Sequence, residues 1–115
     1  MIYTYDGSLE GLLTAVFEWF ERKPGAINLV TEERYQPDAF TSCFEVLTDR
    51  SKADRVWKGL ASRLDRDWMR KAYCTFLSEI PEMQQELFLF ICYVFQHQAG
   101  AEKNYGNSHV LNIAQ

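Results

Sequence analysis

Metal-binding and disulfide-forming residues are scarce in this chain, with three cysteines and two histidines among 115 residues. Cys43, Cys74 and Cys92 are odd in number and widely spaced, which excludes the even, dense framework of a disulfide-stapled secreted domain. They predict buried free thiols in a reducing, cytoplasmic setting. His97 and His109 stand at no metal-ligand spacing, and Cys92 with His97 supplies two ligands where a site needs four, so no metal is expected. Glycine is also sparse, and no glycine-rich loop with a lysine is present to cradle a phosphate, so no cofactor is expected. The longest apolar run, Leu87 to Phe95, falls well short of the ~20 residues that a membrane span requires. No basic leader stands before Ile2, so the chain is expected to begin directly with its fold. Repeats and low-complexity tracts are absent too.

Apolar residues, by contrast, are plentiful: 47% of the chain is hydrophobic and 15% aromatic, enough for a core and too much for disorder. The length suits one domain, 1–115. Its pattern predicts an α+β fold in the order β-α-β-β-α-α-α, with about three short strands against about four helices and the start of a further helix. Ile2–Tyr5 reads as a strand ending at the turn Asp6-Gly7. Ser8 is placed to cap a helix whose apolar face is Leu9, Leu12, Leu13, Val16, Phe17 and Phe20, stopped by Pro24-Gly25. Ile27–Val30 and Cys43–Leu47 read as two further strands, joined by a polar loop over Thr31–Ser42. Thr48 or Asp49 caps a second helix built on Ala53, Val56, Trp57, Leu60, Ala61 and Leu64. After a break near Asp65, Trp68, Met69, Ala72, Tyr73, Phe76 and Leu77 form a third apolar stripe. Pro81 opens a fourth helix that runs to about His97. A last helix, capped by Asn107 or Ser108, stops in mid-pattern, as a fragment of a longer protein would.

Charge is sorted along the chain. Between Arg50 and Lys71 lie eight bases against three acids, a net of +5, while the rest carries four against thirteen, a net of −9. At about 100° per residue, Lys52, Arg55 and Arg63 fall away from the apolar stripe of their helix, with Lys58 and Arg66 at its margins and Arg70 and Lys71 in the next helix. Such cations can follow a phosphate backbone. They equally fit a solvated face holding salt bridges to the acidic remainder. Asp6 and Glu10, flanking a strand-to-helix turn, are candidate acid–base groups. Turn formation by Asp6 and helix-dipole complementation by Glu10 explain them as well. Cys74 follows two cations but keeps apolar company, which points to an inert, buried thiol. Of the aromatics that could stack on nucleobases, Trp57, Trp68 and Tyr73 fall in core stripes, leaving Tyr35 and Tyr105 as the freer candidates.

Three segments together resemble a bacterial family described as DNA-metabolism or DNA-repair proteins of unknown function. They are Tyr5-Asp6-Gly7-Ser8-Leu9-Glu10-Gly11-Leu12-Leu13-Thr14-Ala15-Val16-Phe17-Glu18, then Thr48-Asp49 with Lys52-Ala53-Asp54-Arg55-Val56, and Phe76-Leu77-Ser78-Glu79. The likeness is to the family's N-terminal portion. Members are typically encoded beside a radical-SAM protein, and some are fused to a uracil-DNA-glycosylase-like domain. The resemblance therefore implies an accessory role on DNA, with the chemistry supplied by a partner and no catalytic residue to carry over. The family usually continues into a basic, aromatic region beyond the point where this chain stops, so the present segment is expected to hold a scaffold that can self-associate through exposed helix faces. Three readings follow: a DNA-contacting accessory domain using Lys52, Arg55, Lys58, Arg63, Arg66, Arg70 and Lys71, a protein–protein adaptor for the radical-SAM protein, and a nucleobase-acting enzyme using Asp6 or Glu10.

Overall fold

A computed structural model describes residues 1–37, 41–97 and 113. Its elements run β1 (Ile2–Tyr5), α1 (Leu9–Arg22), β2 (Asn28–Thr31), β3 (Cys43–Glu45), α2 (Arg50–Arg63), α3 (Arg66–Leu77) and α4 (Pro81–Gln96). This is the small α+β fold that the pattern predicts, in the predicted order. The chain divides into two compact units, Met1–Val56 and Trp57–Gln115.

The first unit is organised by β1. The sheet has the order β2-β1-β3 with both pairings parallel, so β1 has a strand on each side. A central parallel strand is covered on both faces, and accordingly Tyr3, Thr4 and Tyr5 are all buried. Parallel pairing of β1 with β2 needs a crossover, which α1 provides. That helix begins as its sequence dictates: the Ser8 hydroxyl accepts the Gly11 N–H at 2.9 Å, satisfying one of the free first-turn donors. It ends where Lys23 turns left-handed (φ 51°) and returns its N–H to Trp19 O. Gly11 to Val16 are buried without interruption, the sign of a helix set deep in its unit.

The second unit is helical. Asp65 accepts the Trp68 N–H at 2.9 Å and starts α3, so the break expected near Asp65 is a helix cap. Pro81 stands at the start of α4, where its missing N–H costs nothing. Trp68 stacks on Phe90 with centroids 5.7 Å apart and planes 20° apart, and Lys71 sits 4.7 Å over the Trp68 ring. Phe88, Phe90 and Leu87 are fully enclosed, each contributing about 1.5–3 kcal/mol through burial. His97 ends α4 with its ring against Tyr93 and Nδ1 2.8 Å from Tyr93 O. Ile113 is helical and buried. Tyr105, and His109 with the rest of the predicted last helix, lie outside the described residues, as do residues 38–40 of the predicted polar loop. No helix among the described residues is long and apolar enough to cross a membrane.

Several expectations need correction. The second strand runs Asn28–Thr31 rather than Ile27–Val30. The third strand stops at Glu45 rather than Leu47, although the Val46 N–H still reaches Thr4 O at 2.8 Å, and Leu47 is 74% exposed. Tyr73 and Leu77 are not core: they are 46% and 55% exposed, because they lie on the side of α3 opposite Trp68. Cys43 and Cys74 are exposed, and of the three thiols Cys92 alone is buried, where desolvation pushes it up to about 12. Titration of the native protein with a thiol reagent at neutral pH should therefore release two fast equivalents and a third only on unfolding. Three fast equivalents would place Cys92 outside the core.

Candidate functional site

Two loops leave the carboxyl ends of the neighbouring strands β1 and β3, the edge at which open parallel sheets commonly bind ligands. Here they are tied to each other. Asp6 Oδ1 accepts from the Ser8 N–H (2.9 Å) and the Ser8 hydroxyl (2.6 Å), and Oδ2 accepts from the Thr48 hydroxyl (2.7 Å). Gly7 permits the turn with φ 86°, a conformation that a side chain would strain. Gly11 lies beneath: a Cβ there would run into Asp6 Oδ1 and meet the Ser8 and Thr48 hydroxyl oxygens at 3.1 Å. One turn further, the buried Thr14 hydroxyl donates to Glu10 O (2.7 Å) and accepts the Asp49 N–H (3.2 Å). Asp49 in turn caps α2, accepting from the N–H and hydroxyl of Ser51, both at 2.9 Å.

The arrangement is a latch. Burial raises the Asp6 pKa, but the hydrogen bonds from Ser8 and Thr48 outweigh it and leave the carboxyl below its ordinary value. Asp6 is thus an ionised acceptor with three of its roughly four lone-pair sites in use. Glu10 stands exposed in the first turn of α1, where its charge suits the helix dipole. No group of three or more His, Cys, Asp or Glu among the described residues is placed to hold a metal ion.

The seven basic candidates differ in their surroundings. Lys52 is ion-paired to Glu18 at 2.5 Å, a carboxylate that also takes Arg22 at 3.2 Å. Burial raises the Glu18 pKa while Lys52 and Arg22 more than offset it, for a net lowering. The Arg55 guanidinium lies 5.4 Å from the Phe17 ring centre, with Lys52 5.3 Å from the same ring. Arg63 lies 4.7 Å from the Phe95 ring centre and donates to Gly59 O at 3.1 Å, and Lys71 covers Trp68. A cation over a ring keeps its charge, so these contacts position the side chains without neutralising them. Arg55, Lys58, Arg66 and Arg70 are exposed, and none forms an ion pair with a described residue.

Sequence reasoning singled out Asp6 but missed Thr48, Gly11 and Thr14 as its supports. A glycine in the first turn of a helix, where alanine is intrinsically preferred, is the signal that could have found them. Comparison with protein-family models, curated proteins and solved structures finds no match for this chain.

Two measurements test the latch. Gly11→Ala, which in an ordinary helix interior would gain about 1 kcal/mol, should instead cost on the order of 1–3 kcal/mol in denaturant unfolding because the methyl group overpacks the site. A more stable variant would refute it. Asp6 and Glu18 are both depressed in the folded state, so the stability they contribute is complete above their unfolded values, near pH 4, and is lost as pH falls through the lower folded values. Asp6→Asn and Glu18→Gln should each be less stable at neutral pH and flatten that acid decline. A wild-type stability unchanged between about pH 5 and pH 3 would contradict the assignment.

Proposed function

We propose that the chain is a cytoplasmic accessory domain of DNA metabolism that meets nucleic-acid phosphates through its α2 and α3 cations. Reaction chemistry would come from a partner, the radical-SAM protein that the family resemblance implies. One observation carries this reading: Arg55, Lys58, Arg66 and Arg70 are exposed with no carboxylate partner among the described residues. The chain holds sixteen acids against twelve bases, so carboxylates enough exist to pair every cation. Leaving four open to solvent on two helices is what a polyanion partner would require.

Exposed apolar side chains favour a second reading, the protein–protein adaptor. Leu47 at 74%, Leu77 at 55% and Ile80 at 48% are open to solvent. Asp6, engaged in the latch, lends the nucleobase-acting enzyme no support.

Binding of labelled DNA measured across a salt series decides between DNA contact and pure adaptor. The first reading expects affinity to fall linearly with the logarithm of salt concentration, with a slope of about −0.9 per neutralised phosphate on duplex. The double variant Arg55→Glu, Lys58→Glu should weaken binding at least about tenfold and make that slope shallower by roughly one to two phosphates. Absence of binding at low salt, or a double variant that binds as the wild type does, would leave the adaptor.

A further inference from the structure

The exposed face of α3 has a composition that a merely solvated helix does not need. Arg66, Arg70, Tyr73 and Leu77 follow one another at spacings of four, three and four residues, which aligns them along one side of the helix. All four are exposed, while Trp68 and Ala72 on the other side are buried. The stripe therefore begins with two guanidinium groups that have no carboxylate partner among the described residues. It continues with a tyrosine ring 46% open to solvent and ends on Leu77.

We propose that this face binds single-stranded nucleic acid, with Tyr73 as the stacking platform for a base and Arg66 and Arg70 as the phosphate contacts. The inference rests on the nucleic-acid reading above and specifies its ligand. At about 1.5 Å of rise per residue, Arg66 and Arg70 are separated by about 6 Å along the axis, on the scale of one nucleotide step. Tyr73 follows within one helical turn. Guanidinium is the better phosphate fork because it is planar and weakly hydrated. A base offers its face to a protein ring only when it is unstacked from its neighbours, and in a duplex both faces are already covered. An aromatic ring beside paired cations is thus the pattern of single-strand binding. Leu77 adds an apolar shelf beyond the ring. The polar half of the stripe is wholly cationic and its centre is aromatic, which favours a stacked polyanion over an acidic helical peptide.

The test uses the full chain and three labelled probes of equal length: oligothymidine, a duplex, and an abasic strand carrying the same phosphates. Oligothymidine should bind more tightly than either of the others. Tyr73→Ala should weaken its binding by about 5- to 150-fold with the salt slope unchanged, and Tyr73→Phe should restore it. Arg70→Ala should weaken all probes and make the slope shallower by about 0.7 on the single strand. Tyr73 is exposed, so each variant is expected to melt as the wild type does, and a melting curve controls for folding. If the protein binds DNA but treats oligothymidine and the abasic strand alike, or ignores Tyr73→Ala, this inference falls and the broader reading stands. If no probe binds at low salt, both fall. If the α3 variants affect only binding of an acidic amphipathic peptide, the face is a protein dock and the proposal is overturned.

Discussion

The two loops at the carboxyl end of the first unit's sheet are held together by the Asp6 carboxylate. It lies at the end of the central strand, and its hydrogen bonds fix the turn into α1 and hold the loop that follows β3. A surface carboxylate contributes little when it faces water, since solvent competes for every donor. Here Gly11 brings the α1 backbone close enough that the donors converge on both oxygens, and net lowering of the pKa despite burial shows that the bonds win. Thr14 extends the same tie to the start of α2 through Asp49. One short motif thereby positions the first turn of the helix that carries Lys52 and Arg55.

The treatment of cations follows a consistent division. Lys52 and Arg22 converge on Glu18, which is half-buried and would be costly without them. Arg22 also lies 3.7 Å from the Phe44 ring centre, and Phe44 tilts against Tyr3 with centroids 5.0 Å apart. Structural charges are thus consumed near the sheet. Further along, Arg63 and Lys71 rest on aromatic rings of the second unit, where they cover apolar surface and still present charge. The cations left over have neither a carboxylate nor a supporting role in the described contacts, apart from Arg55 beside Phe17. A basic segment in an acidic chain therefore resolves into members that stabilise the fold and members that the fold leaves to solvent.

Much of the fold was legible because its signals are local. Ser8 and Asp65 cap helices in the way their side-chain oxygens allow, Pro81 opens α4, and Ile2–Tyr5 is a strand to the residue. Strand direction was not legible, because parallel pairing depends on which strands meet after the crossover and no residue announces it. The ends of β3 and β2 were misplaced for a related reason: edge strands of three or four residues carry too little pattern to mark where pairing stops. The latch was half legible. Asp6 stood out by its position in the turn, but Thr48 comes to it from 42 residues away, a contact that no spacing reveals. The inert-thiol reading failed for Cys74 because apolar neighbours in sequence are not neighbours on a helix face.

The misreading of Tyr73 came from joining too many apolar residues into one stripe. Trp68 and Leu77 are nine residues apart, about 900° of helix, which is two and a half turns and so the opposite face. Trp68, Met69, Ala72, Tyr73, Phe76 and Leu77 span about half the circumference of the helix, wider than the stripe that one neighbouring element covers. The observed α3 encloses Trp68 and Ala72 and leaves Tyr73 and Leu77 in water beside Arg66 and Arg70. Tyr73 and Leu77 gain from folding only in proportion to the surface they bury, since about half of each stays hydrated. Packing among the described residues therefore accounts for only part of their apolar surface. Arg66 and Arg70, in line with them, have no carboxylate partner among the described residues, so charge and apolar surface lie open together on one side of the helix.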